Sequence, residues 1–246
     1  MRIVTLGTAH GDPTFCRFNS SILLECDASG YLLDAGSPVT ALLVRRGYDF
    51  NRLKTVTISH MHLDHFGGLP DLIKHQCKHD RKLKIFLPEK NSAEIFELYY
   101  AMSHRRDTVG RIEYTVIEAG LFFEDENVKM TAIPTKHCHG EDGAASYATL
   151  IESARGNVLY TGDLKADFSD FPFAACEKAQ LCLCELTHWK LEEQLEKLRA
   201  LTLQKLVFVH VGNRFHDPKE IKLLTKLTEN FPYPVILAYD GDEFTL

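Results

Sequence analysis

The chain has 246 residues, of which 45% are hydrophobic and 25% are charged, a composition typical of a globular protein with a large core. No stretch approaches about 20 uninterrupted apolar residues, so the sequence predicts no membrane-spanning helix. The net charge of −6 argues against a dedicated nucleic-acid binder, which needs a basic surface to displace phosphate counterions.

The amino-terminus and the cysteines predict a cytosolic protein. Met1 to Gly7 passes directly into a strand-like run and lacks the apolar segment and cleavage site of a secretory signal. The seven cysteines are an odd number without a Cys-x-x-Cys pair, and several, including Cys26, Cys182 and Cys184, lie in apolar runs. We therefore expect buried free thiols and no disulfide framework.

The first half of the chain alternates strand and helix patterns. In chain order these patterns predict strands at residues 2–6, 21–26 and 31–33, a helix at 39–46, a strand at 54–59, a helix at 70–77, a strand at 84–87 and a helix at 91–102. Gly47 is a natural residue to end the first helix, because it tolerates a left-handed backbone. Gly, Pro and Asp residues separate the early strands.

The second half repeats this style without repeating the sequence. It predicts strands at 112–117, 128–133, 146–152, 158–160 and 181–184, a helix from 190, a strand at 205–209, a helix from 217 to 231 and a strand at 235–238. Asp217 is the expected N-cap of the last helix, with Pro218 at its first position and Glu220 at its third. Two groups of strands with helices on one face predict a single α/β domain, residues 1–246, folded as a four-layer αββα sandwich.

The most informative stretch is residues 59–70, Ser-His-Met-His-Leu-Asp-His-Phe-Gly-Gly-Leu-Pro. Its residues His60, His62, Asp64 and His65 directly follow a predicted strand, and three histidines within six positions are improbable by chance in a chain with 12. Imidazole and carboxylate are the ligands that zinc and similar divalent metals take. An extended backbone points His60 and His62 to one side, and a turn can aim the other two at a second ion nearby.

This row resembles the signature of the metallo-β-lactamase fold hydrolases. Four further similarities follow along the chain, so the resemblance covers nearly all of it. They are Asp34 after an early strand, His137 after Pro-Thr-Lys, Asp163 in Tyr-Thr-Gly-Asp and His210 after Leu-Val-Phe-Val.

The resemblance implies two divalent metal ions, with zinc expected and manganese or iron also compatible with the ligands. The implied ligands are His60, His62 and His137 for one ion and Asp64, His65 and His210 for the other, with Asp163 bridging both. His139 is a rival to His137, which is preferred because it directly follows strand-like residues. Asp34 is expected to hold a histidine in the required tautomer.

Residues 6–14, Leu-Gly-Thr-Ala-His-Gly-Asp-Pro-Thr, followed by Arg17, resemble the phosphodiesterase branch of that fold. This branch includes RNase Z and small cyclic-phosphate phosphodiesterases. Two departures argue against intact tRNA as the substrate. The 26 positions from His137 to Asp163 are too few for the protruding arm with which RNase Z grips tRNA, and the His-Ser-Thr element expected before the last ligand is absent. The sequence therefore predicts a smaller phosphodiester, nucleotide-like or cyclic, attacked by a metal-activated hydroxide.

Residues 183–188, Leu-Cys-Glu-Leu-Thr-His, resemble the segment in which that branch carries a functional glutamate. We predict Asp64, Glu185 and His188 as catalytic residues. Asp64 would help orient the hydroxide, and His188 or His139 would protonate the leaving oxygen. An equally good interpretation is that Glu185 and His188 form a polar connection that caps the next helix.

Other functions use the same ligands. A hydrolase of a carbonyl ester, thioester or lactone can use the same hydroxide. A diiron redox protein of this fold often changes the His65 position, and a non-catalytic module normally loses ligands, whereas this chain keeps them all. The predicted partners are a small molecule or a short phosphodiester, with no membrane and no extended nucleic acid. The oligomeric state is left open, although a homodimer is common in the resembled branch.

Overall fold

The computed structural model describes residues 1–104, 110–138 and 144–246, and within these ranges the chain forms two sheets of seven strands each. The first sheet has the order β14-β1-β2-β3-β4-β5-β6 and contains β1 (Arg2–Gly7), β2 (Ser21–Cys26), β3 (Ser29–Leu33), β4 (Leu53–Thr57), β5 (Leu83–Leu87), β6 (Ile112–Val116) and β14 (Glu243–Thr245). The second sheet has the order β13-β12-β11-β10-β9-β8-β7 and contains β7 (Gly120–Glu124), β8 (Val128–Pro134), β9 (Tyr147–Ser153), β10 (Val158–Tyr160), β11 (Leu181–Leu186), β12 (Lys205–Val211) and β13 (Val235–Leu237).

Helices cover the outer faces of both sheets. The α-helices of the described ranges are α1 (Val39–Arg45), α2 (Leu63–Phe66), α3 (Leu69–Gln76), α4 (Ser92–Met102), α5 (Phe173–Cys176), α6 (Leu191–Arg199) and α7 (Pro218–Thr228). On the first sheet, Val39, Leu72 and Phe96 of three helices join one buried apolar cluster. On the second sheet, Leu198 and Leu224 join another. The predicted four-layer αββα sandwich is thereby confirmed.

The core between the sheets follows from the alternation of side chains along each strand. In β1, Ile3 faces the second sheet and Val4 faces the helices. In β12, Val207 faces the first sheet and Phe208 faces the helices. Successive residues of a strand point to opposite faces, so a strand buried on both sides reads as a continuous apolar run.

The sequence patterns missed two strands. In β7, Leu121 to Phe123 is an apolar run without alternation, and the ladder to β8 shifts register between these two residues. In β14, Phe244 pairs with Ile3 at the other end of the chain, a contact that no local pattern reveals.

Several predicted boundaries differ from the structure by one to three residues. Strand β11 continues past 184 and includes Glu185, and strand β12 continues past 209 and includes His210. Helix α7 ends at Thr228 and not at 231. Pro232 follows the predicted end, and the residue before a proline is disfavoured in the helical conformation. The cap itself is as predicted, because the Asp217 side chain accepts a hydrogen bond from the Lys219 N–H at 2.8 Å.

Two expectations from composition can be compared with the structure. Across the described ranges, no helix combines the length and the apolarity that crossing a bilayer requires. Six of the seven cysteines are buried, as predicted, and Cys16 is exposed.

Asp125, in the connection between β7 and β8, links the two sheets. Its Oδ2 accepts hydrogen bonds from the hydroxyl of Tyr31 at 2.7 Å and from Nζ of Lys54 at 2.8 Å, both from the first sheet. Its Oδ1 accepts from the backbone N–H groups of Asn127 and Val128. Tyr31 is fully buried, so its hydroxyl depends on this carboxylate.

We expect Asp125→Ala to lower the free energy of unfolding by about 2 kcal/mol, because it leaves a buried hydroxyl without its acceptor. Urea unfolding followed by circular dichroism measures this change. Glu126→Ala is the matched control, since Glu126 also contacts Lys54 but is exposed, and its effect should be much smaller than that of Asp125→Ala. Equal effects of the two substitutions would contradict this account.

Candidate metal centre

The histidine row lies between β4 and α2. His60 and His62 precede α2, and Asp64 and His65 lie within it. The backbone is tightly packed here, because a Cβ added to Gly36 would lie 2.3 Å from the carbonyl oxygen of Asp64. Only glycine fits this approach, so the chain before α1 fixes where α2 presents its side chains.

The later predicted residues reach the same place from the second sheet. His137 follows β8, Asp163 follows β10 and His210 lies in β12. The predicted ligands form two groups, and within each group the ligand atoms all lie within 4.8 Å of one another. The first group is His60, His62, His137 and Asp163, and the second is Asp64, His65 and His210. The structure thus brings all seven predicted ligands together.

Asp163 stands between the two groups. Its Oδ2 lies 3.6 Å from Nε2 of His60 and of His137, on one side. It lies 3.4 Å from Nε2 of His65 and 3.5 Å from Nε2 of His210, on the other. A carboxylate beside nitrogens of both groups could serve as a ligand to two cations at once.

The donor set fits divalent metal ions. Nε2 of His60, Nε2 of His65 and Oδ1 of Asp163 are buried and have no hydrogen-bond partner among the described residues. Each buried polar atom without a partner costs about 1–3 kcal/mol. Cations held between these atoms would remove that cost, and imidazole with carboxylate suits zinc, manganese or iron.

Asp34 orients His65, as the sequence predicted. Its Oδ2 lies 2.7 Å from Nδ1 of His65 and accepts a hydrogen bond from the Tyr160 hydroxyl at 2.6 Å. The N–H and the hydroxyl of Ser59 also donate to this carboxylate. With Nδ1 engaged, Nε2 of His65 is the nitrogen that faces the centre.

Charge and burial set the protonation of the centre. Burial alone would lower the pKa of His65, but the carboxylates of Asp163 and Asp34 outweigh it and raise that pKa well above its usual value. Burial and the neighbouring His65 lower the pKa of His60 well below its usual value. Burial would raise the pKa of Asp163, yet His210 and His65 hold it well below the usual range. The carboxylates thus favour positive charge at this point, and a bound cation would supply it.

Glu185 and His188 lie beside the cluster. Glu185 is fully buried and accepts the backbone N–H groups of Leu164, Thr187 and His188. Its Oε1 also lies 3.1 Å from Nδ1 of His188, whose ring centroid is 4.5 Å from that of His137. Glu185 therefore fixes a turn and orients an imidazole beside the cluster, and its catalytic role stays a prediction. The pair does not cap the next helix, because the N-terminus of α6 has no side-chain cap hydrogen bond. His139, the alternative acid and ligand, lies outside the described residues.

Sequence reasoning missed the contact that holds Asp64. The backbone N–H of Gly11 donates to Oδ2 of Asp64 at 2.7 Å, and Nδ2 of Asn19 donates to the Gly11 carbonyl at 2.6 Å. Nε2 of His210 lies 3.1 Å from the same oxygen of Asp64. The Gly-Asp-Pro turn at residues 11–13 was visible in the sequence, but nothing in it identified the partner.

Comparison with known proteins agrees with this geometry. A family model described as Anti-Pycsar protein Apyc1 matches residues 1–228. A protein named Ribonuclease Z from Listeria monocytogenes serotype 4b is 32% identical over 173 residues, which are 68% of this chain and 54% of that protein. The Anti-Pycsar protein Apyc1 of Paenibacillus harenae is 25% identical over 155 residues, 61% of this chain and 62% of that protein. The chain spans about half the length of the Ribonuclease Z relatives that it matches.

Solved structures show the same fold. The metallo-β-lactamase fold protein YhfI of Bacillus subtilis superposes with a TM-score of 0.80 at 20% identity, covering 99% of this chain and 98% of that chain. The short form of human tRNase Z gives a TM-score of 0.75 at 19% identity, covering 100% and 99%. The predicted resemblance is therefore confirmed. This chain has the metallo-β-lactamase fold and belongs to the family described as Anti-Pycsar protein Apyc1.

Proposed function

We propose that this protein is a metal-dependent hydrolase of small phosphodiesters, nucleotide-like or cyclic. The observation that carries the proposal is the position of Asp163 Oδ2 between two groups of ligand side chains. Relatives named Ribonuclease Z and Anti-Pycsar protein Apyc1 support a phosphodiester in preference to an acyl substrate. The net charge of −6 argues against an extended nucleic acid.

The proposed ligands are the seven side chains of the two groups. His60, His62 and His137 would hold one ion, Asp64, His65 and His210 the other, and Asp163 both. Zinc is the expected metal, and one structural neighbour is described as Zn²⁺-bound PqqB. Two such ions, when bound, lower the pKa of a water and neutralise charge on the phosphate oxygens.

The remaining steps belong to side chains of this protein. Asp64, held by the Gly11 N–H and close to His210, would orient the attacking water. Because Glu185 engages Nδ1 of His188, Nε2 is the nitrogen available to give a proton to the leaving oxygen. His188 is 30% exposed, so a substrate can reach it.

Turnover of a diester against acyl substrates tests the proposed function. We expect metal-loaded protein to hydrolyse bis-p-nitrophenyl phosphate and to leave a thioester and a lactone intact, as measured by product absorbance. His60→Ala should abolish this activity and lower the metal content measured by mass spectrometry, because it removes a proposed ligand that lies beside Asp163.

His75→Ala is the matched control, since His75 lies on α3 and packs against Phe50, away from the centre. It should keep both metal and activity. Hydrolysis of the thioester or the lactone alone would overturn the phosphodiesterase proposal.

The acid role of His188 can be separated from a structural role by the choice of leaving group. We expect His188→Ala to slow hydrolysis of a diester with an alkoxide leaving group by about 10²-fold or more, because alkoxides need a proton to depart. Bis-p-nitrophenyl phosphate, with its stable leaving group, should be affected far less. The rate constants of the two substrates are compared at saturating metal.

Metal content must be unchanged in this variant, because His188 also lies near Asp163 and His210 and could itself bind metal. An equal loss on both substrates, or loss of an ion, would remove His188 as the acid.

We also propose that the protein is a homodimer that pairs through α4. Ile95, Leu98, Tyr99 and Met102 are exposed and follow the spacing i, i+3, i+4, i+7, which places them on one face of this helix. Such a stripe faces water in a single chain. A twofold contact covers it with an identical stripe, so that both copies bury the same apolar face.

Light scattering after size exclusion measures the dimer. We expect a mass of about 56 kDa, twice the 27.9 kDa chain, and we expect Leu98→Asp to give the monomer because it places a charge in the apolar contact. Leu121→Asp is the matched control, since this leucine is similarly exposed but lies on β7. A wild-type monomer, or an unchanged dimer with Leu98→Asp, would refute pairing through α4.

A further inference from the structure

Asp170 joins two loops of the metal centre. Its Oδ2 accepts a hydrogen bond from the backbone N–H of Lys136 at 2.6 Å. The backbone N–H of Lys165 donates to both carboxylate oxygens, at 3.0 and 3.1 Å. Hydrogen bonds to an ionised carboxylate are about twice as strong as neutral ones, so this contact holds the two loops firmly together.

Each of these loops carries a proposed ligand. Lys136 directly precedes His137, and Lys165 follows Asp163 by two positions. The loops meet again where Nδ1 of His137 lies 3.4 Å from the carbonyl oxygen of Leu164. The position of His137 relative to Asp163 therefore depends on the Asp170 carboxylate.

Asp170 is itself held by a buried anchor. Phe168, two positions earlier, is fully buried and stacks on Phe171 at 4.7 Å and against Trp189 at 4.5 Å between ring centroids. Its φ of +60° is a left-handed conformation that costs a bulky residue about 1–3 kcal/mol. Packing of the ring offsets this cost and fixes the turn from which Asp170 points at both loops.

The contact bears more directly on one of the two proposed ion positions than on the other. His137 and Asp163 belong to the group with His60 and His62. None of the hydrogen bonds described for Asp170 reaches Asp64, His65 or His210, which form the other group. Asp163 is proposed to hold both ions, whereas His137 is proposed to hold only one. Loss of the carboxylate would therefore loosen the ion position that contains His137 more than the other.

We propose that Asp170 is a positioning residue that sets the metal affinity of the ion position formed by His60, His62, His137 and Asp163. The inference rests on the proposed function only in so far as that function places an ion there. A merely structural role for Asp170 would lower the stability of the fold without selecting one of the two ions.

The test is stepwise removal of zinc from the loaded protein by increasing chelator, with the ions counted by mass spectrometry. We expect Asp170→Ala to release one ion at a chelator concentration at least about tenfold lower than wild type, and the second ion at a concentration much closer to that of wild type. Asp170→Asn keeps one neutral acceptor, so it should release the first ion at a chelator concentration between those of wild type and Asp170→Ala. Thermal melting of the metal-free proteins records any general loss of stability.

Asp167→Ala is the matched control. Asp167 lies in the same turn and pairs with the Lys165 side chain, but its described hydrogen bonds go to Lys165 Nζ and the Ser169 N–H and not to Lys136. It should keep both ions. Unchanged release from Asp170→Ala, equal weakening of both ions, or the same release from Asp167→Ala would overturn the proposal.

Hydrolysis is not part of this measurement, so the two proposals fail separately. A wild type that holds two ions and cleaves no diester would refute the proposed function and leave the role of Asp170 standing. A wild type that holds fewer than two ions would refute the role of Asp170 as well.

Discussion

The buried carboxylate of Asp163 is the constraint around which the centre is arranged. Its Oδ2 lies between 3.4 and 3.8 Å from nitrogens of five histidines, and the side chain is almost completely buried. A buried charge without partners costs several kcal/mol, so the fold has to bring opposite charge to this one point. The surrounding imidazoles face this carboxylate, and divalent cations held between them would provide that charge.

Strand order explains why residues so far apart in the chain meet. The strands β10, β11 and β12 are parallel neighbours, and their carboxyl ends deliver Asp163, Glu185 and His210 to one edge. The strands β3 and β4 are also parallel, and they deliver Asp34 and His60 at their own carboxyl ends. Backbone contacts join the two edges, such as the Tyr147 N–H to the Ser59 carbonyl at 3.0 Å. Ligands from both sheets therefore converge at the seam of the sandwich.

The side chains of the centre could be predicted from the sequence, whereas the contacts that hold them could not. His60 was found because three histidines and an aspartate rarely gather in one short stretch, whereas Asp163 and His210 were assigned through the resemblance to the metallo-β-lactamase fold hydrolases. The role of Gly11 rests on a backbone N–H, which almost any residue could supply, so residue type carries no signal. Asp170 reads as an ordinary loop aspartate, because its partners are also backbone groups. The pairing of β14 with β1 was missed for a related reason, since it joins the two ends of the chain.

Three residues at or beside the centre have a strained backbone conformation that glycine would adopt more easily. Asp34, Phe168 and His210 all have positive φ, at 57°, 60° and 46°, where glycine would be free of strain. Glycine would remove the carboxylate that orients His65, the ring that anchors the Asp170 turn, or a proposed ligand. The left-handed conformation costs about 1–3 kcal/mol at each position, and this cost is offset because the side chain reaches its partner in that conformation. The dense packing around Phe168 and the four hydrogen bonds to Asp34 are what make this conformation the stable one.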